Sequence, residues 1–316
     1  MRFSIKRKLG LAFGLVILFS AAAGLYAVEN LSSIKDTMDW MIGNPVARLR
    51  EAGDIRTHIL LGIRDQKNAI LESDDEAAAR YAASAVSERT AAHKLLEQAF
   101  ATATGDDKAL LGKLLSALDE FAVVDDRVLG FAKGNSNNKA HALLNSEAKA
   151  EQARLYTALG QLADIGDKAG PQALAVAHMH DAVETLNGTV TAYVLSGDLQ
   201  ELADEAKVVT EKTEAVIRQR EALRAAFPTQ SPAMEAVSSA LDLWLGTLSK
   251  VATINSDGAN IRAAELSANE GRKLVTVIFE LMDQYSGAMQ TEARNAQEQS
   301  GHQYEQARLL LIGLLS

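Results

Sequence analysis

The chain has 316 residues, 47% of them hydrophobic but only 5% aromatic, with four prolines and no cysteine. The lack of cysteine excludes disulfides, thiolate metal sites and thiol catalysis, and the scarcity of proline and aromatics beside abundant Ala, Leu, Glu and Lys favours long helices over sheet. The net charge of −9, with the basic cluster spent on the first few residues, argues against nucleic acid as a partner.

Arg2, Lys6, Arg7 and Lys8 precede an uncharged apolar run from Leu9 to Val28, and Glu29 and Asp36 follow it. At ~1.5 Å per residue the run reaches ~30 Å, enough to cross a bilayer core. The positive flank predicts that residues 1–8 are cytoplasmic, that 9–28 span the membrane and that 29–308 lie outside it. A cleaved signal peptide ending at Leu25-Tyr26-Ala27 is the rival reading. From Leu309 to Ser316 a second apolar run begins, read as the start of a second membrane helix with a cytoplasmic output region beyond it.

Between the anchors, Gly or Pro joins turn formers at five places: Thr104 to Asp107, Gly134 to Asn138, Gly166 to Pro171, Pro228 to Pro232, and Asn255 to Gly258. They predict six helices, near 29–103, 106–133, 138–165, 172–227, 232–254 and 259–308. Two weaker breaks, at Glu72 to Asp75 and Ser196 to Asp198, make eight if both are real. Either even number returns the chain to the membrane. The weak breaks are related, because the segment is internally duplicated: Ile70 to Asp74 matches Val194 to Asp198, and Ser116 to Asp119 recurs as Ser239 to Asp242. The repeats cover about 45–165 and 171–287. The predicted fold is all-α: up-and-down helical bundles in two stacked four-helix modules, sharing two long helices in the six-helix form. Apolar stripes such as Met179, Val183, Leu186, Val190 and Val237, Leu241, Trp244, Leu248, Val251 define the expected cores. Leu31, Ile34, Met38, Met41 and Ile42 on one stalk, with Met282, Tyr285 and Met289 on the other, are expected to pair in coiled-coil fashion, with Trp40 at a dimer contact.

Arg56 shares a heptad stripe with Leu49, Ile63 and Ile70, beside Ala52, Ile59 and Gln66. A guanidinium in a core position needs an anion, because unpaired burial costs several kcal/mol. That anion is either a carboxylate ligand held bidentately or a protein carboxylate such as Glu147 or Glu151; a dimer contact is the third possibility. Arg64 is one turn from the edge of the stripe. In the second repeat His180 falls near the counterpart of Arg56, and Tyr193 ends a polar stretch that either lines a second pocket or packs as a flank. The candidate ligand-binding residues are therefore Arg56, Arg64, His180 and Tyr193. His178 and His180 face different sides of a helix, so no metal site is expected. The turn at Asn255 to Gly258 lacks the ligands of a calcium loop. No catalytic motif occurs, and neither an enzyme nor a cofactor is expected.

The amino terminus Phe3-Ser4-Ile5-Lys6-Arg7-Lys8-Leu9, the two anchors and the helical domain between them resemble a bacterial methyl-accepting chemotaxis protein. The duplicated bundle is similar to the helical bimodular sensor domain, and each copy resembles a four-helix-bundle sensor module. Tyr193 to Asp198 also resembles a segment shared by bundle sensors of histidine kinases and cyclases, where it ends the first helix. The resemblance implies a homodimeric receptor of the bacterial inner membrane that binds an organic acid or amino acid in the periplasm. It further implies that the second membrane helix passes the signal to cytoplasmic partners. The input region of a sensor kinase or diguanylate cyclase, and a ligand-free scaffold for a periplasmic protein, are the alternatives.

Overall fold

The computed structural model describes residues 5–227 and 231–315. Arg2, Phe3, Ser4, Pro228 and Ser316, on which parts of the sequence reading rest, lie outside the described residues. Every regular element among those residues is helical. Helix α1 (Ile5–Met41) carries the apolar run with its side chains exposed, Phe13, Ile17 and Leu18 among them. It is long and apolar enough to cross a membrane. A π turn, Ile42–Val46, joins it to α2 (Ala47–Leu71). The cause is Pro45, which has no N–H to donate and whose ring crowds the preceding turn. The wider turn makes room, and the Asn44 side-chain amide donates to the Trp40 carbonyl at 3.1 Å.

Both weak breaks are turns. Glu72 Oε1 accepts from the backbone N–H of Ser73 and Asp74, and Asp74 Oδ1 accepts from Ala77 N at 2.8 Å, capping α3 (Asp75–Thr102). Helices α4 (Gly105–Gly134), α5 (Ser136–Leu143), a second π turn (Leu144–Ala148), α6 (Lys149–Ile165) and α7 (Pro171–Val194) follow. At the second weak break Asp198 Oδ1 accepts from Glu201 N at 2.8 Å, while the Glu201 carboxylate accepts from Gly197 N at 2.6 Å. This cap starts α8 (Leu199–Ala226), and α9 (Pro232–Asn255), α10 (Ala259–Leu266), a third π turn (Ser267–Gly271) and α11 (Arg272–Leu315) complete the chain. No helix runs through residue 73 or 197, so of the two arrangements left open the chain takes the turns of the eight-helix one. Asp198→Ala should cost about 1 kcal/mol of stability, read as a lower denaturant midpoint at unchanged slope.

The chain divides into two compact units. Unit 1 holds Met1–Ile59, Thr90–Leu118 and Thr276–Ser316. Its core is built from Ile55, Ile59, Leu96, Leu111, Leu114 and the α11 residues Ile278, Met282, Tyr285 and Met289, all buried. The carboxyl-terminal stalk residues are thus buried; on the amino-terminal stalk Ile34 and Met41 are half-buried, Leu31, Met38, Trp40 and Ile42 are exposed, and Ser33 Oγ donates to Gln303 Oε1 of α11 at 3.5 Å.

Unit 2 holds Leu60–Arg89 and Asp119–Val275. One core joins α5 to α9 around Leu159, Met179, Leu186, Val190, Leu241 and Trp244. A second core joins the end of α2 to parts of α3, α4 and α10 through Ala69, Ala85, Val128, Leu129 and Ala263. Small residues let these helices approach closely: a Cβ on Gly62 would sit 3.4 Å from the Ala85 carbonyl. The fourth helix in each core comes from the other half of the chain.

The two cores meet at an asparagine cluster. Asn135 (φ 49°) and Gly258 (φ 59°) both take the left-handed conformation and break the helix before α5 and before α10. Helix ends leave carbonyls without partners, and side-chain amides supply the donors. Asn260 Nδ2 donates to Ile70 O, Asn138 Nδ2 to Glu72 O, Asn135 Nδ2 to Ser73 O and Asn255 Nδ2 to Tyr193 O, at 2.8–3.1 Å. Asn137 N donates to Asn260 Oδ1, and Ala259 N to Ser136 Oγ, each pair 123 residues apart in sequence. Hydrogen bonds from Lys139 and Asn135 hold the Asp75 carboxyl below its ordinary range.

Candidate ligand site

In unit 2, the π turn Ser267–Gly271 packs beside the last two turns of α2. A π turn carries one more residue per turn than an α-helix and is frequent at functional sites. Here a cleft of about 300 Å³ lies against it. Phe121, Ile70, Gln66 and Gly271 are buried at its base, while Lys67, Leu71, Ala268 and Arg272 form an exposed rim. The volume is at the lower end of small-molecule sites.

A buried polar chain fixes the base. Ser267 Oγ donates to Gln66 Oε1 at 2.7 Å, and Gln66 Nε2 donates to Asp125 Oδ1 at 2.6 Å. Arg89 pairs with Asp125, and also donates to Ala122 O at 3.2 Å and to Asp126 Oδ1 at 2.6 Å. Both groups of Gln66 are therefore used, which locks its rotamer. Burial pushes the Asp125 carboxyl up, against the pull of the Gln66 hydrogen bond and the Arg89 charge. Beside this chain, Asp65 accepts from Ser84 at 2.6 Å and from Arg64 at 2.8 Å. Lys67 and Arg272 stand on the rim of an apolar body, and Glu270 of the π turn pairs with Arg127 at 3.4 Å.

The residues singled out from the sequence fall elsewhere. Arg56 lies in unit 1, where Asp283 of α11 supplies its anion at 2.7 Å and the Phe279 ring lies under the guanidinium at 5.2 Å. Its side chain is 43% exposed, not buried. The expected partners Glu147 and Glu151 are both in unit 2, Glu147 exposed and Glu151 buried on α6. Arg56 and Asp283 do line a pocket of about 320 Å³, walled by Gly53, Ser286 and Gly287. Arg64 is 61% exposed and points its charge at its neighbour Asp65. His180 is exposed and stacks on the Tyr156 ring at 4.3 Å. Burial and the Glu184 carboxylate push the Tyr156 phenol up to about 12. Tyr193 is buried, and its hydroxyl donates to Ala252 O at 3.2 Å, the packed alternative. Sequence reasoning placed Gln66 on the inward stripe but did not connect it to Ser267, Asp125 or Arg89. The signal was available in the accumulation of polar residues at positions of apolar periodicity.

The chain matches the four helix bundle sensory module for signal transduction over residues 2–176. It belongs to that family, the sensory modules of chemotaxis receptors. No curated protein matches it.

Proposed function

We propose that the chain is the sensory and anchoring portion of a chemotaxis receptor of the bacterial inner membrane, with α1 crossing the bilayer and residues 29–308 in the periplasm. It senses a small anionic solute rather than catalysing a reaction, works as a homodimer, and transmits through the apolar end of α11 to a cytoplasmic output region. The observation that supports this most is which elements wall the cleft. One wall is α2, which continues α1 through a single π turn, and the other is the π turn that opens α11, a helix unbroken to Leu315. A ligand there contacts both helices that lead to the apolar segments. It biases their arrangement by its differential affinity for the two states.

Two measurements test the proposal on the full chain in lipid nanodiscs and in cells. The thermal midpoint is followed against organic acids and amino acids; a ligand at 100 times its Kd should add about 2.7 kcal/mol of stability. Because the chain has no cysteine, single cysteines at Asp36 and Gln299, both exposed, can be labelled with an impermeant maleimide in intact cells. Labelling from outside is expected at both. Protection of both, or no stabilisation by any acid or amino acid, would overturn the proposal.

A further inference from the structure

The molecule contains an internal control for its own cleft. The second and third π turns, Leu144–Ala148 and Ser267–Gly271, each follow an eight-residue helix that starts just after a left-handed residue. Hydrogen bonds join positions 123 residues apart across this frame, Asn137 with Asn260 and Ser136 with Ala259. The same spacing relates the cleft to a place in the core of α5 to α9. Ser267, Gly271 and Phe121 of the cleft correspond to Leu144, Ala148 and Trp244. Each of the three counterparts is larger. They are 5%, 1% and 0% exposed and belong to one continuous core.

The π turn and the backbone around it therefore do not force a void, since the same frame packs solid where the larger residues stand. Native interiors are filled to near-crystalline density, and an unfilled space costs stability in proportion to its volume. A cleft kept open by three smaller residues, over a base whose glutamine is locked at both ends, has the properties of a binding site.

Resting on the sensory reading above, we propose that this cleft is a ligand site for a small carboxylic acid with a compact apolar body. The body lies against Phe121, Ile70 and the face left open at Gly271, and the carboxylate lies at the Lys67 and Arg272 rim. A polar diacid of similar size leaves Phe121 and Ile70 uncovered and offers a second charge to an apolar base, so it is disfavoured.

The test is calorimetric titration of the full chain in nanodiscs with benzoate, phenylacetate and isovalerate, set against malate, aspartate and the neutral benzamide. At least one apolar-bodied acid is expected to bind tenfold or more tighter than malate and benzamide. A Cβ on Gly271 meets only the Leu266 carbonyl at 3.7 Å, an ordinary contact, so Gly271→Leu fills the cleft without disturbing a hydrogen bond. It should weaken that acid at least tenfold while the helical circular dichroism is unchanged. Lys67→Gln with Arg272→Gln, two exposed changes, should weaken the acid similarly but leave benzamide unaffected; Arg56→Ala should change nothing. Binding of an apolar acid that survives Gly271→Leu overturns the site. Tight binding of malate or aspartate alone overturns the ligand class and leaves the sensory reading standing. Silence from all five acids overturns the site and counts against an anionic solute altogether.

Discussion

Arg89→Ala is expected to destabilise the folded chain by roughly 3–5 kcal/mol, the range for removing one partner of a buried ion pair. The Arg89 side chain is 12% exposed and that of Asp125 only 3%. Its other ion-pair partner, Asp126, is 64% exposed and adds little. Without Arg89 the Asp125 carboxylate keeps only the Gln66 amide as a donor. The arginine cannot be replaced by water at no cost, because the site is enclosed by α2, α3 and α4. Asp125→Asn in the same background should recover part of the loss, since it removes the stranded charge while an amide oxygen still accepts from Gln66. Burial already raises the Asp125 pKa in the folded state, and losing a cation raises it further. A raised carboxyl contributes stability below its unfolded pKa of about 3.9 and loses it as pH rises through the folded value. Arg89→Ala should therefore lose less at pH 4 than at pH 7, whereas the double variant should lack this difference. Urea denaturation at the two pH values measures all three; an Arg89→Ala loss under about 1 kcal/mol would place the pair among surface bridges.

Trp244→Ala is expected to cost about 3–5 kcal/mol through the cavity it leaves. Trp244 is fully buried in the core of α5 to α9, and its Nε1 has no hydrogen-bond partner among the described residues. An unmet buried donor costs about 1–3 kcal/mol, so the tryptophan is worth its packing less that penalty. Trp244→Phe removes the orphan N–H along with part of the ring. Its net cost should be less than half that of alanine, measured from denaturant midpoints. Phe121 already occupies the corresponding place beside the cleft, so the surrounding backbone accepts that side chain.

What the sequence disclosed follows from which interactions are periodic. The stripes at Met179, Val183, Leu186 and Val190, and at Val237, Leu241, Trp244 and Val251, are buried as their spacing requires, because helix periodicity reports which face is inward. It does not report what that face meets. The stripe puts Arg56 inward, yet its side chain is 43% exposed, and its anion Asp283 is 227 residues away, a partner that no local pattern selects over Glu147 or Glu151. The turns at residues 72–74 and 195–198 were visible as acidic and small residues with capping potential. Whether such a patch ends a helix depends on carbonyls being met from elsewhere, here by Asn135, Asn138, Asn255 and Asn260. The π turns had a compositional sign only at Pro45. The cleft could have been found by laying Ser267 and Gly271 against Leu144 and Ala148, a comparison of size rather than of likeness.

The contact between Gly134 and the start of α10 has a consequence for how such a chain can change. A Cβ on Gly134 would lie 3.1 Å from the Ala259 Cβ, so the polypeptide leaves for α5 and comes back from α9 at one spot. Splicing Gly134 straight onto Ala259 needs no added linker, and recombination between near-identical tandem copies deletes just such a stretch. Loss of the segment removes α5 to α9 and keeps α2, α3, α4 and α10 in chain order, at the cost of the Asn135 and Asn138 amides that meet the carbonyls of Ser73 and Glu72, and the reverse event inserts the segment. Architecture of this kind permits whole sensing cassettes to be gained, lost or grafted without re-threading the helices that run to the apolar ends.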